Sequence, residues 1–144
     1  MHAINSDHYR KIALASKKDR KSFSDNGTGF FSGAPGAITA FIHNGAALRY
    51  LAYVEFQPGI SRGDHLHARR EQTLIVLSGQ IVGQYYLPDQ PDHVVLLDLV
   101  AGEGVWLAAG VAHSHRAIVP SAAIEYSGSR YEDDDTIEMP FTWT

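Results

Sequence analysis

The chain contains no cysteine. Disulfides, thiolate zinc sites and a cysteine nucleophile are excluded together, so any metal would have to be held by histidine and carboxylate. Positive charge is also scarce: 12 Lys and Arg against 16 Asp and Glu leave a net charge of −4, and no long basic stripe forms. Nucleic acid is therefore not an expected partner. No stretch reaches the roughly 18 apolar residues of a membrane span, and Met1 to Arg20 lacks the apolar core of a signal peptide. The expectation is a soluble, cytoplasmic chain that does not contact a membrane. Beyond the N-terminal stretch, apolar positions do not recur at the helical period near 3.6, which disfavours a doubly wound α/β fold.

What the chain does have is enough apolar material for a core. Hydrophobic residues make up 44% of 144 residues. A chain of this size buries roughly two thirds of its unfolded surface, so a single domain is the simplest reading. Its expected parts are an N-terminal arm over 1–36, a barrel core over about 37–128 and a C-terminal tail over 129–144.

The pattern is one of short β runs punctuated by turns. Lys11 to Leu14, Ala37 to His43, Leu48 to Gln57, Thr73 to Leu77, Gln80 to Leu87, His93 to Val100, Val105 to Ala108, His115 to Val119 and Ala122 to Tyr126 read as strands. Gly33-Ala34-Pro35-Gly36, Asn44-Gly45, Pro58-Gly59, Ser78-Gly79, Pro88-Asp89-Gln90-Pro91 and Ala101-Gly102-Glu103-Gly104 read as turns. Regular spacing of this kind predicts an all-β sandwich or barrel. The run Lys17 to Lys21 reads as a solvated loop, and Glu132 to Asp135 as a solvated tail. In Leu48 to Gln57, Tyr50, Ala52, Val54 and Phe56 share one face; Tyr53, Glu55 and Gln57 share the other, which either lines a polar interior or leaves Glu55 as a surface or edge carboxylate.

Histidine is over-represented, with eight in the chain. His65 and His67 are two apart, so in an extended strand both imidazoles project from one face, close enough to share a cation. Glu71 has the same parity and can return to that cavity if the strand resumes after Ala68-Arg69-Arg70. His113, after the turn-rich Ala109 to Ala112, supplies a fourth ligand. Three imidazoles and a carboxylate suit one divalent Mn, Fe, Co, Ni, Cu or Zn ion with positions open for water or substrate. His115 shares the parity of His113 and is a candidate proton carrier. Tyr53, Tyr85, Tyr86 and Trp106 are candidates for stacking or for core packing.

These residues resemble the two motifs of the cupin family. The first appears as Gly59, His65, His67 and Glu71, with Gly79 one residue later than the common spacing. The second appears as Gly102, Gly110 and His113, with Ala108 in place of its Pro and Ala117 in place of its Asn. The resemblance covers roughly Leu48 to Tyr126. It implies a double-stranded β-helix, the jelly-roll barrel, with His65, His67, Glu71 and His113 as metal ligands inside it.

The fold alone does not fix a reaction. Arg62-Gly63-Asp64-His65-Leu66-His67 is similar to the Arg-Gly-x-His-x-His segment of cupins that modify nucleotide-linked sugars, and Tyr131 to Ile137 is similar to the stretch that closes many of them. This resemblance implies an isomerase or epimerase acting on a small polar or nucleotide-linked sugar, with a metal polarising the carbonyl and His115 or Tyr53 carrying the proton. Those ketoisomerases generally work without a catalytic metal, which a full ligand set here would contradict. A non-haem Fe(II) dioxygenase and a non-enzymatic small-molecule-binding barrel are the alternatives. A homodimer is expected, because cupins often pair their sheets.

Overall fold

The computed structural model describes residues 3–13, 21–23, 28–32, 39–43 and 47–144. The expected turns at Gly33 to Gly36 and at Asn44-Gly45, and the charged run from Lys17 to Arg20, lie outside these residues.

Strands dominate: β1 Tyr9–Ala13, β2 Lys21–Phe23, β3 Thr28–Ser32, β4 Thr39–His43, β5 Tyr50–Phe56, β6 Ser61–His67, β7 Gln72–Ser78, β8 Gln80–Tyr86, β9 Val95–Val100, β10 Glu103–Leu107, β11 Ala112–Ala117, β12 Ser121–Ser127 and β13 Thr136–Glu138. Among the described residues the other regular element is a 3-10 turn at Asp133–Asp135. Among the described residues no helix is long and apolar enough to cross a membrane.

The chain forms two compact units, Met1–Ile12 with Leu48–Thr144, and Ala13–Ala47. The second is a three-stranded antiparallel sheet in the order β2-β3-β4, with Phe30 opposite Phe41 and Lys21 opposite Phe31. Lys21 thus begins a strand instead of ending a loop, and an edge strand tolerates such a polar residue.

The first unit holds two five-stranded sheets, β1-β10-β7-β12-β5 and β13-β6-β11-β8-β9. One apolar cluster joins them: Val54, Leu74, Val76, Val105, Leu107 and Ala123 come from the first sheet, and Ile81, Tyr85, Leu99 and Ala117 from the second. Burying a side chain such as Leu74 or Leu99 contributes roughly 1.5–3 kcal/mol. In β5, Val54 and Phe56 face this core, whereas Tyr53 and Glu55 are exposed. The expected alternation is present, but its polar face looks outward.

Two features of the sheets aim the histidines. Along β6 and β11 the register runs His113 opposite His65 and then Ser114 opposite Gly63, so Asp64 is the extra residue of a β-bulge. Gly63 has φ +108° and Asp64 φ +56°. At Gly63 a Cβ would sit 2.9 Å from the His113 carbonyl oxygen, so only glycine allows β11 to approach there. Asp64 closes the bulge by accepting from the Ser114 hydroxyl.

The C-terminal residues do not form a solvated tail. β13 extends the second sheet, pairing Thr136 with His67 and Glu138 with His65. Asp135 is buried and accepts from the Arg69 backbone amide at 2.7 Å, while Glu132 and Asp134 pair with the Arg69 guanidinium. Farther on, the Tyr86 hydroxyl donates to the Pro140 carbonyl at 2.6 Å and the Trp143 indole to Ser114 Oγ at 3.2 Å.

Candidate functional site

Several strands of the two sheets deliver polar side chains to one cavity of about 400 Å³. β6 contributes Arg62, His65 and His67; β11 contributes His113 and His115; β7 begins with Gln72 and β12 carries Glu125. Tyr50, Arg70, Tyr131 and Thr136 complete the wall.

His65, His67 and His113 converge. Each offers a nitrogen within 4.8 Å of the others, and the ring centroids of His65 lie 4.6 Å from His67 and 4.8 Å from His113. Hydrogen bonds assign the tautomers of His113 and His67. His113 donates through Nδ1 to the Val111 carbonyl at 2.9 Å, which leaves Nε2 to accept from the Gln72 amide at 3.4 Å. His67 accepts through Nε2 from Arg70 Nη2 at 2.9 Å, and its Nδ1 faces Thr136 Oγ1 at 3.4 Å. His115 sits behind them, fully buried, with Nε2 3.0 Å from the Tyr85 hydroxyl. Gly83 leaves room for that hydroxyl, since a Cβ there would overlap it.

Burial sets the charge states. It lowers the pKa of His67 to about 4, assisted by Arg70, and that of His115 to about 3. His113 is held well below the usual value by burial and by its histidine neighbours, and His65 is lowered by burial and Arg70. All four imidazoles are neutral near pH 7. Burial pushes the Glu125 carboxyl upward, against the pull of Arg62 and Arg70.

Two expected site residues lie elsewhere. Glu71 does not join the histidines: its Oε1 accepts from the Gly128 backbone amide at 3.0 Å and faces the Ser127 hydroxyl at 2.9 Å. β6 ends at His67 and β7 starts at Gln72, so Glu71 belongs to the connection, where strand parity has no force. Tyr53 is 62% exposed, and its hydroxyl reaches Glu55 at 3.2 Å, so it is not a residue of the cavity. The aromatic faces in the wall are those of Tyr50 and Tyr131. Arg70, Gln72 and Glu125 are residues that sequence reasoning missed; Glu125 shares the inward parity of Ala123 and Ser127, which is a readable signal.

Three imidazole nitrogens this close together could hold a metal ion after some rearrangement. Two ligands at about 2.1 Å from one ion are at most about 4.2 Å apart, so the rings would have to close. The Nε2 lone pair of His67 is already directed at a guanidinium, and no carboxylate belongs to the cluster among the described residues.

No protein-family model matches the chain, and no curated protein matches it. Solved structures do. The sugar 3,4-ketoisomerase QdtA from Thermoanaerobacterium thermosaccharolyticum, in complex with TDP, superposes with a TM-score of 0.67 at 16% identity, covering 90% of this chain and 87% of that one. A 3,4-ketoisomerase from Helicobacter canadensis gives 0.67 at 13% identity, covering 90% and 89%. The dTDP-4-dehydrorhamnose 3,5-epimerase from Sulfolobus tokodaii gives 0.58 at 16% identity, covering 74% and 70%. At such identities the likeness speaks to architecture, and on that ground the chain has the all-β, jelly-roll cupin fold of these sugar isomerases and epimerases.

Proposed function

We propose that the chain is an isomerase or epimerase that moves a proton at the carbon next to the carbonyl of a small polar or nucleotide-linked sugar. The observation that carries this reading is the cavity itself, in which neutral imidazoles face a buried carboxyl pushed toward its protonated form. Such a pair supplies a base and an acid at the same pH. The known structures with this architecture support the substrate class, since one of them holds TDP-4-keto-6-deoxyglucose.

In the reaction an imidazole takes the proton from the carbon beside the carbonyl, and the C–H electron pair forms an enediolate. Returning that proton to the former carbonyl carbon, while the former carbonyl oxygen gains a proton and the neighbouring hydroxyl gives one up, moves the carbonyl; returning it to the opposite face of the first carbon inverts that centre. Neither course needs an oxidant or reductant. His65 and His113 are the bases with an Nε2 or Nδ1 not committed to a charged donor, and Glu125 is the acid. His115, behind His113 and tied to Tyr85, positions that ring.

The test is incubation with TDP-4-keto-6-deoxyglucose in D2O under anaerobic conditions. Isomerised product with deuterium at the carbon next to the carbonyl is expected, together with its loss in His65→Asn and His113→Asn variants. The absence of both turnover and exchange in the intact protein would overturn the proposal. A divalent cation on His65, His67 and His113 is the second reading; the convergence of three nitrogens favours it and the Arg70 contact opposes it.

A further inference from the structure

Arg69 and Arg70 are neighbours in sequence with opposite fates. Arg69 is exposed and surrounded by carboxylates, pairing with Glu132 at 2.7 Å and Asp134 at 2.9 Å. Arg70 is 4% exposed and has no carboxylate within ion-pair distance among the described residues. A guanidinium cannot escape burial by losing its proton, so its full charge remains in the cavity wall.

The groups around Arg70 satisfy it incompletely. Nη2 donates to His67 Nε2, while Nη1 is buried with no hydrogen-bond partner. The Tyr50 ring lies 4.3 Å and the Tyr131 ring 5.5 Å from the guanidinium carbon. These faces attract the cation but accept no conventional hydrogen bond. An orphaned donor on a buried charge is costly, and the deficit is relieved by an oxygen carrying negative charge. Arg70 is among the residues that line the cavity, where a ligand oxygen would meet it.

We infer that Arg70 is the oxyanion receptor of this cavity, a stacked guanidinium that binds a compact anionic oxygen of the ligand, such as an enediolate or a carboxylate oxygen. This inference deepens the isomerase reading and rests on it for the enediolate. There, the electron pair of the broken C–H bond ends on the former carbonyl oxygen, and Arg70 donates a hydrogen bond to that oxygen without giving up a proton. The contact to His67 fixes the plane of the fork, and the two tyrosine faces fix its depth. Arg70 thereby supplies the electrophile that a metal would otherwise provide.

The experiment is a titration of the whole protein with oxalate, a planar dianion, followed by calorimetry and by the imidazole carbon–proton NMR signals. Saturable binding that shifts the signals of His65, His67 and His113 is expected. Arg70→Gln is expected to weaken it at least tenfold, Arg70→Lys by less, and Arg69→Gln not at all. If Arg70→Gln fails to fold, the comparison of Arg70→Lys with Arg69→Gln decides. Equal oxalate affinity in the intact protein and the folded Arg70 variants, or no saturable shift in the intact protein, would overturn the inference. Because oxalate binding requires no turnover, an inactive protein that binds oxalate through Arg70 sinks the isomerase reading alone. An active protein indifferent to Arg70 sinks this one alone.

Discussion

Glu71 Oε1 accepts from the backbone amide of Gly128 at 3.0 Å, joining the connection before β7 to the chain just after β12. The same oxygen faces the Ser127 hydroxyl, and Ser127 is buried. The carboxylate of a first cupin motif here ties two strand ends together. Its replacement should therefore act on stability. Glu71→Ala removes the acceptor of the part-buried Gly128 amide, while the Ser127 hydroxyl keeps the Glu71 backbone carbonyl, and is expected to lower unfolding free energy by roughly 1 kcal/mol. Oxalate affinity and any sugar turnover measured below the unfolding transition should be unchanged. Urea melts together with binding isotherms check this; unaltered stability with lost binding would return Glu71 to the cavity.

Tyr53 gives the complementary case. It projects from the outer face of β5, whereas Tyr50 lines the cavity. Tyr53→Phe is expected to leave turnover and oxalate binding at the level of the intact protein, while Tyr50→Leu weakens oxalate binding by removing one face of the Arg70 stack. A matching loss in both variants would contradict the orientation of β5.

These two residues show what local pattern can and cannot carry. The approach of His65 and His67 follows from period-two geometry within one uninterrupted strand, and His113 follows from the glycine turn that starts β11. Parity counted across Ala68-Arg69-Arg70 predicts nothing, because β6 and β7 lie in different sheets. In β5 the alternation is legible but the choice of face is not, since both faces carry aromatic and polar residues. Arg70 is illegible for another reason: nothing local says which of two adjacent arginines is buried. Arg69 finds its partners Glu132 and Asp134 in a segment remote in sequence, which no local pattern announces.

Neutral buried histidines make the fold sensitive to acid. His115 has a pKa of about 3 in the fold against 6.5 when free, and that of His113 is also well below 6.5. The unfolded chain binds protons that the folded chain refuses, so stability is fully present above pH 6.5 and falls as pH drops toward the folded values. Each such imidazole removes up to about 1.4 kcal/mol per pH unit in that window. Glu125, with its pKa raised, works in the opposite sense and flattens the curve. Denaturant melts at pH 7.5, 6.0 and 5.0 should show declining stability, with a shallower slope in His115→Gln. Parallel curves for the variant and the intact protein would refute the assignment of that slope to His115.

The relation between Arg70 and His67 also makes a prediction about metal. A cation drawn to His65, His67 and His113 must displace the Arg70 fork from His67 Nε2 and then sit beside its charge. At an effective dielectric constant near 20, a divalent ion about 5 Å from a guanidinium is disfavoured by several kcal/mol. Removing the charge should help the ion. Zn2+ affinity, measured by competition with a chromophoric chelator on protein purified without an affinity tag, is expected to rise at least tenfold in Arg70→Gln, while His113→Asn should abolish the gain. Tight stoichiometric binding by the intact protein, unimproved in Arg70→Gln, would mean that the guanidinium does not guard the imidazoles, and the cation would then take its place as the electrophile.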